Sequence, residues 1–431
     1  MKDTDIDGKK MRIKCERGIL LLILLVFLSR MFLLSQISLA HQGNISVLVR
    51  IDEIRYFVEA QKIFTFSGWQ GGLWDVPLYP VLLGVLFKIF FPSYFLAVIL
   101  NIILFSLGVG MLYALTSLVL NKVAAYCAAI TMAFYPSLWM ISLYPAAEPL
   151  VLFLLISTGY TLVKYYQSAE RKYLISTAVL SGLLTLTKET FIFLPFIFIL
   201  IILLKYGSKT KTALKDSLLL SLIYLLVLLP LLILNYGLNN KISLSYKVQR
   251  GIYIMKHFDL HAPERIVSAV NRDEVMYGRQ TFLYCMKEKD IGTFLKNYFP
   301  KRMRFFFGTG TFGLMQALGQ DITRLKSLLD RPGEFLRVLA QKGVGWVIFQ
   351  CAALLMVGYV YFASLYALVV LLVKKKFKET AWLLLFVAYF LVAYVGLNNS
   401  RYLVPIVPLL AVLSSYLSSK IYCWIFKLRV V

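Results

Sequence analysis

The sequence contains little charge, and very little of it is negative. Only 16% of the 431 residues are charged, and 22 acidic residues stand against 46 basic ones, which gives a formal net charge of +24. Hydrophobic residues make up 59% of the chain, well above the roughly 45–50% of a soluble domain. This composition excludes a soluble or a disordered protein. It predicts a multi-pass membrane protein with basic loops that face anionic lipid or the cytosol.

Cysteine and histidine are scarce as well. The five cysteines stand singly, without a CxxC pair, and this spacing specifies neither a disulfide framework nor a zinc site. His257 and His261 are four residues apart, but no third ligand has a matching spacing, which favours chance or loop histidines over a metal site. The sequence therefore indicates no metal ligands and no certain cofactor, and it leaves open whether a divalent metal takes part.

Signatures of nucleic-acid binding are missing. A basic protein can bind nucleic acid, but here the lysines and arginines flank apolar stretches, and no DNA- or RNA-binding fold signature accompanies them. We therefore expect membrane lipids, and not nucleic acid, to be the partners of the basic residues.

Long apolar runs dominate what is present. Windows of about 20 apolar residues can cross a hydrocarbon core about 30 Å thick, and they predict an all-α polytopic membrane protein with about ten transmembrane helices. The windows lie at residues 18–40, 93–120, 122–143, 148–167, 171–187, 190–205, 216–236, 345–373, 379–397 and 401–426. The first run exceeds the roughly 7–15 residues of a signal-peptide core, so we expect a retained helix there.

A further apolar stretch, residues 77–91, is short, begins with prolines and includes a lysine. The basic segment at residues 2–17 places the amino terminus in the cytoplasm. If residues 77–91 crossed the membrane, the basic clusters at 171–172, 205–215 and 374–378 would lie outside. If they do not cross, all three lie inside, as the positive-inside rule expects. We therefore predict an interfacial helix at 77–91 and both termini in the cytoplasm.

This topology divides the chain into four parts. They are a cytoplasmic segment (1–17), a transmembrane module (18–236) that includes an outer loop (41–92), a long outer loop (237–343) and C-terminal transmembrane helices (344–431). We expect the long loop to be helical, with amphipathic runs at 263–287 and 291–307 and a Gly/Thr-rich break at 308–313. Because the two long polar segments lie on the outer face, we expect the reaction to take place there.

Acidic residues follow the first span directly. Asp52, Tyr56 and Ala60 are spaced four apart, so they share one face of a helix. Asp52 can be an N-cap and Glu53 an early-turn acid that complements the helix dipole. A capping carboxylate is rigid and can still present an oxygen, so capping and a chemical role are compatible.

Two other charged positions lie at the outer ends of predicted helices. Glu148, followed by Pro149, begins an apolar helix, where a carboxylate is costly unless it is paired, capping or functional. Lys188 and Glu189 end the fifth span, and the two charges can simply neutralise each other.

Two arginines are also candidates for a role in the membrane. Arg401, followed by Tyr402, opens the last span on the outer side; its planar guanidinium suits phosphate oxygens, and snorkelling toward headgroups is the ordinary alternative. Arg30 lies inside the first span, where an unpaired arginine costs about 2.5–3.5 kcal/mol. We therefore expect Arg30 to face the bundle and to pair with a carboxylate.

Several of these stretches resemble a known family. The Asp52-Glu53-x-x-Tyr56-x-x-x-Ala60 stretch after the first span is similar to the first-loop motif of the C-type (GT-C) membrane glycosyltransferases, notably the protein O-mannosyltransferase and lipid A aminoarabinose transferase group. The spacing of that group is also matched by residues 74–80, by Glu148 with Pro149, by residues 182–189 and by residues 401–408. The resemblance covers most of the chain and is strongest over residues 18–200.

The resemblance implies a hexosyl- or pentosyltransferase of the plasma membrane. Such an enzyme transfers a sugar, with inversion, from a polyprenyl-phosphate-linked donor to an acceptor hydroxyl or similar group on the extracytoplasmic side. The implied catalytic residues are Asp52 as general base with Glu53 and Glu148, and the implied donor- and phosphate-binding residues are Tyr56, Lys188, Arg401 and Tyr402. Val76 departs from the pattern, because the aminoarabinose enzymes carry a lysine just before the first proline of this interfacial helix.

Other functional classes stay open. A polytopic transporter or lipid flippase suits ten spans and a basic face, although transporters commonly show internal repeats and this sequence shows no clear one. An O-antigen ligase-like polymerase or a non-catalytic scaffold fits the long outer loop equally well. The sugar, the acceptor (glycan, lipid or protein) and the oligomeric state are not specified by the sequence.

Overall fold

The computed structural model describes residues 3–48, 51–65, 76–207, 210–240, 311–322, 332–374 and 404–426, together with the single positions 242, 244, 325, 386 and 389. Within these ranges the regular elements are α-helices and short 3₁₀ helices, and no strand occurs. The predicted all-α membrane fold is therefore confirmed.

The helices are numbered here in chain order. They are α1 (Asp3–Ala40), α2 (Ile51–Thr65), α3 (Leu78–Ile89), α4 (Tyr94–Val119), α5 (Lys122–Phe134), α6 (Pro136–Ile141), α7 (Glu148–Ser168), α8 (Arg171–Thr187), α9 (Leu194–Tyr206), α10 (Thr210–Asn239), α11 (Thr311–Ala317), α12 (Pro332–Gln341), α13 (Val344–Val373) and α14 (Val407–Ile425). Short 3₁₀ helices occupy Ile45–Leu48 and Glu189–Phe191.

Seven helical stretches in the described ranges are long and apolar enough to cross a membrane. They are Arg17–Ala40, Tyr94–Val119, Glu148–Ser168, Glu189–Tyr206, Thr210–Gly237, Val344–Val373 and Val404–Ile425. Each of these overlaps one of the ten predicted spans. The predicted span at 171–187 is the 17-residue helix α8, and most of the predicted span at 379–397 lies outside the described residues.

The predicted span at 122–143 is not one continuous helix. α5 ends at Phe134, Tyr135 is extended with φ −61° and ψ 122°, and α6 begins at Pro136. A proline has no amide hydrogen and disfavours helical geometry in the residue before it, so it ends α5 and permits α6 to start. The apolar window concealed this break because it counted hydropathy alone.

α3 is short, as predicted for an interfacial helix. Its 12 residues rise only about 18 Å, which is less than the hydrocarbon core of about 30 Å. α3 packs against α2 and touches α8. These contacts place the pair α2 and α3 beside the helix bundle at the end where α1 finishes.

Short connections and small residues set the packing of the bundle. Asn121 caps α5 by accepting a hydrogen bond from the amide of Ala124 at 2.8 Å, and the two-residue link after α4 makes α4 and α5 antiparallel neighbours. α4 packs against α1, α5 and α7; α8 packs against α7 and α10; α14 packs against α5 and α13. The buried face of α5 is rich in alanine, which allows the close helix approach seen in membrane interfaces.

The outward faces of several helices are apolar. On α10 the exposed side chains include Leu214, Leu218, Leu222, Leu225, Leu226 and Leu229, and α1 and α13 carry similar rows. In water such a surface would be a large exposed apolar patch. Its extent on three long helices agrees with a bundle surrounded by lipid.

One prediction for the long outer loop is wrong in part. Residues 311–313 were expected in a Gly/Thr-rich break, but α11 begins at Thr311 and includes Gly313. A helical glycine costs about 1 kcal/mol, and burial of Leu314 and Met315 offsets that cost here. The predicted helical runs at 263–287 and 291–307 lie outside the described residues.

Candidate functional site

α2 presents one buried stripe that includes an acidic residue. Glu53, Tyr56, Phe57 and Ala60 follow the i, i+3, i+4, i+7 spacing of one helix face, and all four are buried. Glu53 thus lies in the first turn of α2, as expected, and it is enclosed by the protein. Asp52 lies in the first turn, because α2 begins at Ile51; its side chain lies outside the described part of the structure.

Aromatic contacts join α2 to α3 and to the start of α4. Tyr56 meets Tyr79 edge to face, with ring centroids 5.4 Å apart. Phe57 packs against Phe87 of α3 at 5.1 Å and stacks on Tyr94 of α4 at 4.0 Å. Such aromatic pairs add to area burial, so they fix α2 relative to the bundle.

A buried amide connects α3 to the turn that precedes α7. The Tyr79 hydroxyl and the Asn101 Oδ1 atom are hydrogen bonded at 3.2 Å, with Tyr79 as donor. Asn101 Nδ2 donates to the carbonyl oxygens of Tyr144 at 2.5 Å and of Ala146 at 2.9 Å. Both side chains are fully buried. Asn101 is not among the residues predicted from the sequence, although a lone asparagine in an apolar span is itself a signal.

Glu148 forms an ion pair that the sequence analysis did not predict. Its Oε1 atom lies 3.2 Å from Nζ of Lys188, and the side chains are 3% and 15% exposed, respectively. Glu148 is the first residue of α7, Pro149 follows it, and Ala147 provides no side-chain cap. Lys188 follows Thr187, the last residue of α8, as the C-cap of that helix. The pair therefore joins the beginning of α7 to the end of α8.

The structure brings several predicted site residues to one end of the bundle. Tyr56 contacts Tyr79, Tyr79 bonds to Asn101, and Asn101 holds the turn that leads into Glu148. Glu148 then pairs with Lys188. Arg401, Tyr402, His257 and His261 lie outside the described residues.

Arg30 faces the bundle, as expected, but its partners differ from the prediction. Its Nη2 atom donates to the carbonyl oxygen of Ala133 at 2.5 Å, and its guanidinium lies over the rings of Trp139 and Phe105 at 4.5 Å and 5.4 Å. Trp139 Nε1 donates to Phe134 O at 3.3 Å. Within the described ranges, a carbonyl and two rings thus replace the expected carboxylate. A cation at the carbonyl end of the broken α5 complements its dipole.

A second polar cluster lies at the other end of the bundle, where α7 and α9 finish. Asp216 is buried and accepts hydrogen bonds from the hydroxyls of Tyr165 and Tyr206, the latter at 2.9 Å. Lys205 Nζ donates to the carbonyl oxygen of Tyr165 at 2.7 Å and lies over its ring at 4.3 Å. These contacts tie α7, α9 and α10 together at the end remote from Glu148.

The link between α7 and α8 carries an exposed ion pair. Lys172 Nζ lies 2.6 Å from Glu170, and the side chains are 66% and 48% exposed. The hydrogen bond from Lys172 lowers the pKa of the Glu170 carboxyl. This pair is a solvated counterpart of the buried pair at the other end of the same two helices.

In the described ranges, no group of three or more His, Cys, Asp and Glu side chains is arranged to hold a metal ion.

A protein-family model matches part of the chain. The family model described as "Dolichyl-phosphate-mannose-protein mannosyltransferase" matches residues 75–234. This range contains α3 to α9, most of α10, and both Glu148 and Lys188. No curated protein sequence matches the chain.

Structures of an archaeal oligosaccharyltransferase share the fold. The oligosaccharyltransferase of Archaeoglobus fulgidus, solved with zinc and sulfate, is 15% identical with a TM-score of 0.51, over 93% of this chain and 50% of that one. The AglB oligosaccharyltransferase of the same organism, in complex with an inhibitory peptide and a dolichol-phosphate, is 16% identical with a TM-score of 0.50, over 91% and 51%. ArnT from Cupriavidus metallidurans bound to undecaprenyl phosphate is 13% identical with a TM-score of 0.39, over 91% and 77%.

The chain spans about half the length of the oligosaccharyltransferase chains that it matches. At these identities the likeness establishes the fold, and the family model adds a sequence signature over α3 to α10. Together they confirm the predicted resemblance to the C-type membrane glycosyltransferases.

Proposed function

We propose that the protein is an integral-membrane glycosyltransferase that moves a sugar, with inversion, from a polyprenyl-phosphate-linked donor to an acceptor hydroxyl or similar group. The observation that carries this proposal is the buried pair of Glu148 and Lys188, located beside the helices α2 and α3. Both residues fall inside the range that matches the mannosyltransferase family model. The dolichol-phosphate in the AglB complex supports a polyprenyl-phosphate donor.

The reaction needs an acid–base group and a cation at one place. The acceptor oxygen attacks the anomeric carbon from the face opposite the phosphate. The bond between that carbon and the phosphate oxygen breaks, and its electron pair leaves with the polyprenyl phosphate. A carboxylate takes the acceptor proton, an effect typically worth about 10²–10⁴ in rate. Cations stabilise the charge that grows on the leaving phosphate.

We assign these roles to the residues that the family resemblance indicates. Asp52 is the general base, and the backbone places it on the first turn of α2, one residue before the buried Glu53. Glu148 is the second acidic residue of the site, with Glu53 as a further acid. These acids lie on α2 and at the start of α7, which the Tyr79–Asn101 contacts connect.

Lys188 is proposed to bind the lipid phosphate. An ammonium has three donors, so its bond to Glu148 is compatible with a further bond to a phosphate oxygen. Lys188 is also the more exposed member of the pair, at 15% against 3%. Arg401 is proposed as the second phosphate ligand because its planar fork suits phosphate oxygens. Tyr56 and Tyr402 complete the proposed donor-binding set.

The site is proposed to face the extracytoplasmic side of the plasma membrane. Glu148 and Lys188 lie at one end of α7 and α8, whereas the basic residues Lys164, Arg171 and Lys172 lie at the other end. Basic residues near the ends of membrane helices favour the cytoplasmic side. This orientation puts the acidic site outside and both chain termini inside.

Release of free lipid phosphate tests this proposal. Purified protein in liposomes is given a labelled polyprenyl-phosphate sugar and a panel of glycan, lipid and peptide acceptors. We expect time-dependent release of polyprenyl phosphate with wild-type protein and release that is about 10²–10⁴-fold slower with Asp52→Asn. Glu170→Gln, on the opposite side, is the matched control that keeps activity. Movement of intact donor across the liposome membrane without any release would instead identify a transporter and overturn the proposal.

A further inference from the structure

We infer that Asn101 is a positioning residue for the proposed site, acting through the turn that leads into Glu148. This inference rests on the proposed function, because it assigns Asn101 a part in that same reaction. Asn101 lies about two turns inside α4, and its hydrogen bonds go to Tyr79 and to two backbone carbonyls.

The two carbonyl contacts fix the turn between α6 and α7. Asn101 Nδ2 has two hydrogens, and its bonds to the carbonyl oxygens of Tyr144 and Ala146 use both of them. Within the turn, the amide of Ala146 also bonds to Tyr144 O at 2.8 Å. Ala147 and then Glu148 follow directly. The position of the Glu148 backbone is thus set by an amide on a neighbouring helix.

The Oδ1 atom of Asn101 fixes the orientation of that amide. It accepts the hydroxyl of Tyr79 at 3.2 Å, so flipping the amide would place Nδ2 against the hydroxyl and Oδ1 against two carbonyl oxygens. Tyr79 in turn packs against Tyr56 of α2. Asn101 therefore couples α2, the helix that carries Asp52, to the start of α7, which carries Glu148.

Such coupling is needed if two acids on different helices serve one substrate. A displacement of about 1 Å of a reacting group can cost about 10²-fold in rate. The turn before α7, residues 142–147, contains no regular helix. A buried, fully bonded amide holds it rigidly, since leaving a buried polar group unsatisfied is costly.

Kinetics of Asn101 variants test the inference. Asn101→Leu removes all three contacts, and Tyr79→Phe removes only the hydroxyl that orients the amide. We expect kcat to fall about 10²-fold for Asn101→Leu and less for Tyr79→Phe, with the KM for the donor nearly unchanged in both. Ser106→Ala is the matched control: Ser106 is a buried polar residue on the same helix, and among the described residues its hydroxyl bonds within that helix, to Ile102 O at 2.8 Å. It should leave kcat unchanged.

A mutant cycle with Glu148→Gln separates positioning from general damage to the fold. If Asn101 acts through Glu148, Asn101→Leu lowers the single-turnover rate strongly in wild type and hardly at all in the Glu148→Gln background. The inference would be overturned if Asn101→Leu lowered the rate by the same factor in both backgrounds. It would also be overturned if the Tyr79→Phe and Asn101→Leu variants were folded and had the kcat of the wild type. Absence of turnover in the wild type would overturn the proposed function and this inference with it, so the two failures are distinguishable.

Discussion

The buried pair of Glu148 and Lys188 leads to an asymmetric prediction about stability. Lys188→Met removes the ammonium next to a carboxylate that is only 3% exposed, whereas Glu148→Gln leaves a lysine that is 15% exposed and can reach water. Breaking a buried pair costs about 3–5 kcal/mol when the remaining charge is enclosed. We expect that range for Lys188→Met and about 1–3 kcal/mol for Glu148→Gln, where a charged hydrogen bond is weakened.

The double variant distinguishes coupling from simple damage. Glu148→Gln with Lys188→Met removes both charges, so its free energy of unfolding should be within about 1 kcal/mol of wild type. Because the two single variants together cost about 4–8 kcal/mol and the double variant at most about 1 kcal/mol, the coupling free energy should be about 3 kcal/mol or more. The measurement is reversible unfolding in lipid bicelles of the wild type, both single variants and the double variant.

The exposed pair of Glu170 and Lys172 provides the matched control. It lies where the link between these two helices meets α8, at their other end, and its side chains are 48% and 66% exposed. Solvent screens such pairs, so the same cycle there should show no measurable coupling. Additivity of the Glu148 and Lys188 effects to within about 0.5 kcal/mol, or Glu148→Gln costing more than Lys188→Met, would refute the reasoning.

Three further predictions follow from the site and the packing. Asp52→Asn should lower the rate of sugar transfer by about 10²–10⁴-fold, the usual contribution of a general base, while the abundance of the protein in the membrane stays unchanged. Wild-type activity of this variant in the release assay would exclude Asp52 as the general base. Arg401→Ala should mainly raise the apparent KM for the donor, measured by donor titration, and an unchanged donor dependence excludes it as a phosphate ligand. Gly182→Ala should destabilise the protein by about 1–3 kcal/mol, because a Cβ there would lie 2.6 Å from Val227 Cγ1. Gly159→Ala, whose Cβ would meet Leu115 at an ordinary 3.5 Å, is its control in thermal unfolding; equal effects of the two would contradict the close contact of α8 and α10.

Hydropathy and charge predicted the class of fold and the short helix α3. They did so because membrane thickness imposes a minimum length on a span, and a 12-residue helix falls below it. The same windows joined α5 and α6 across Pro136, since a sum of hydropathies contains no information about backbone geometry. Pro136 itself carried the missing signal.

The contacts within the site were harder to predict. Glu148 and Lys188 are 40 residues apart, and their pairing depends on how α7 and α8 pack, which periodicity alone does not specify. The structure pairs Lys188 with Glu148, a contact that adjacency in the sequence does not suggest. Arg30 shows the same limit, because its aromatic partners lie on α4 and α6.

The central claim is that the end of the bundle containing Glu148 and Lys188 reacts with a polyprenyl-phosphate sugar. The most direct measurement is single-turnover release of polyprenyl phosphate from a labelled lipid-linked sugar, by purified wild type and by the Glu148→Gln, Lys188→Met double variant. The account predicts release by the wild type, and a double variant that is folded but inactive. A double variant that releases polyprenyl phosphate at the wild-type rate would contradict it.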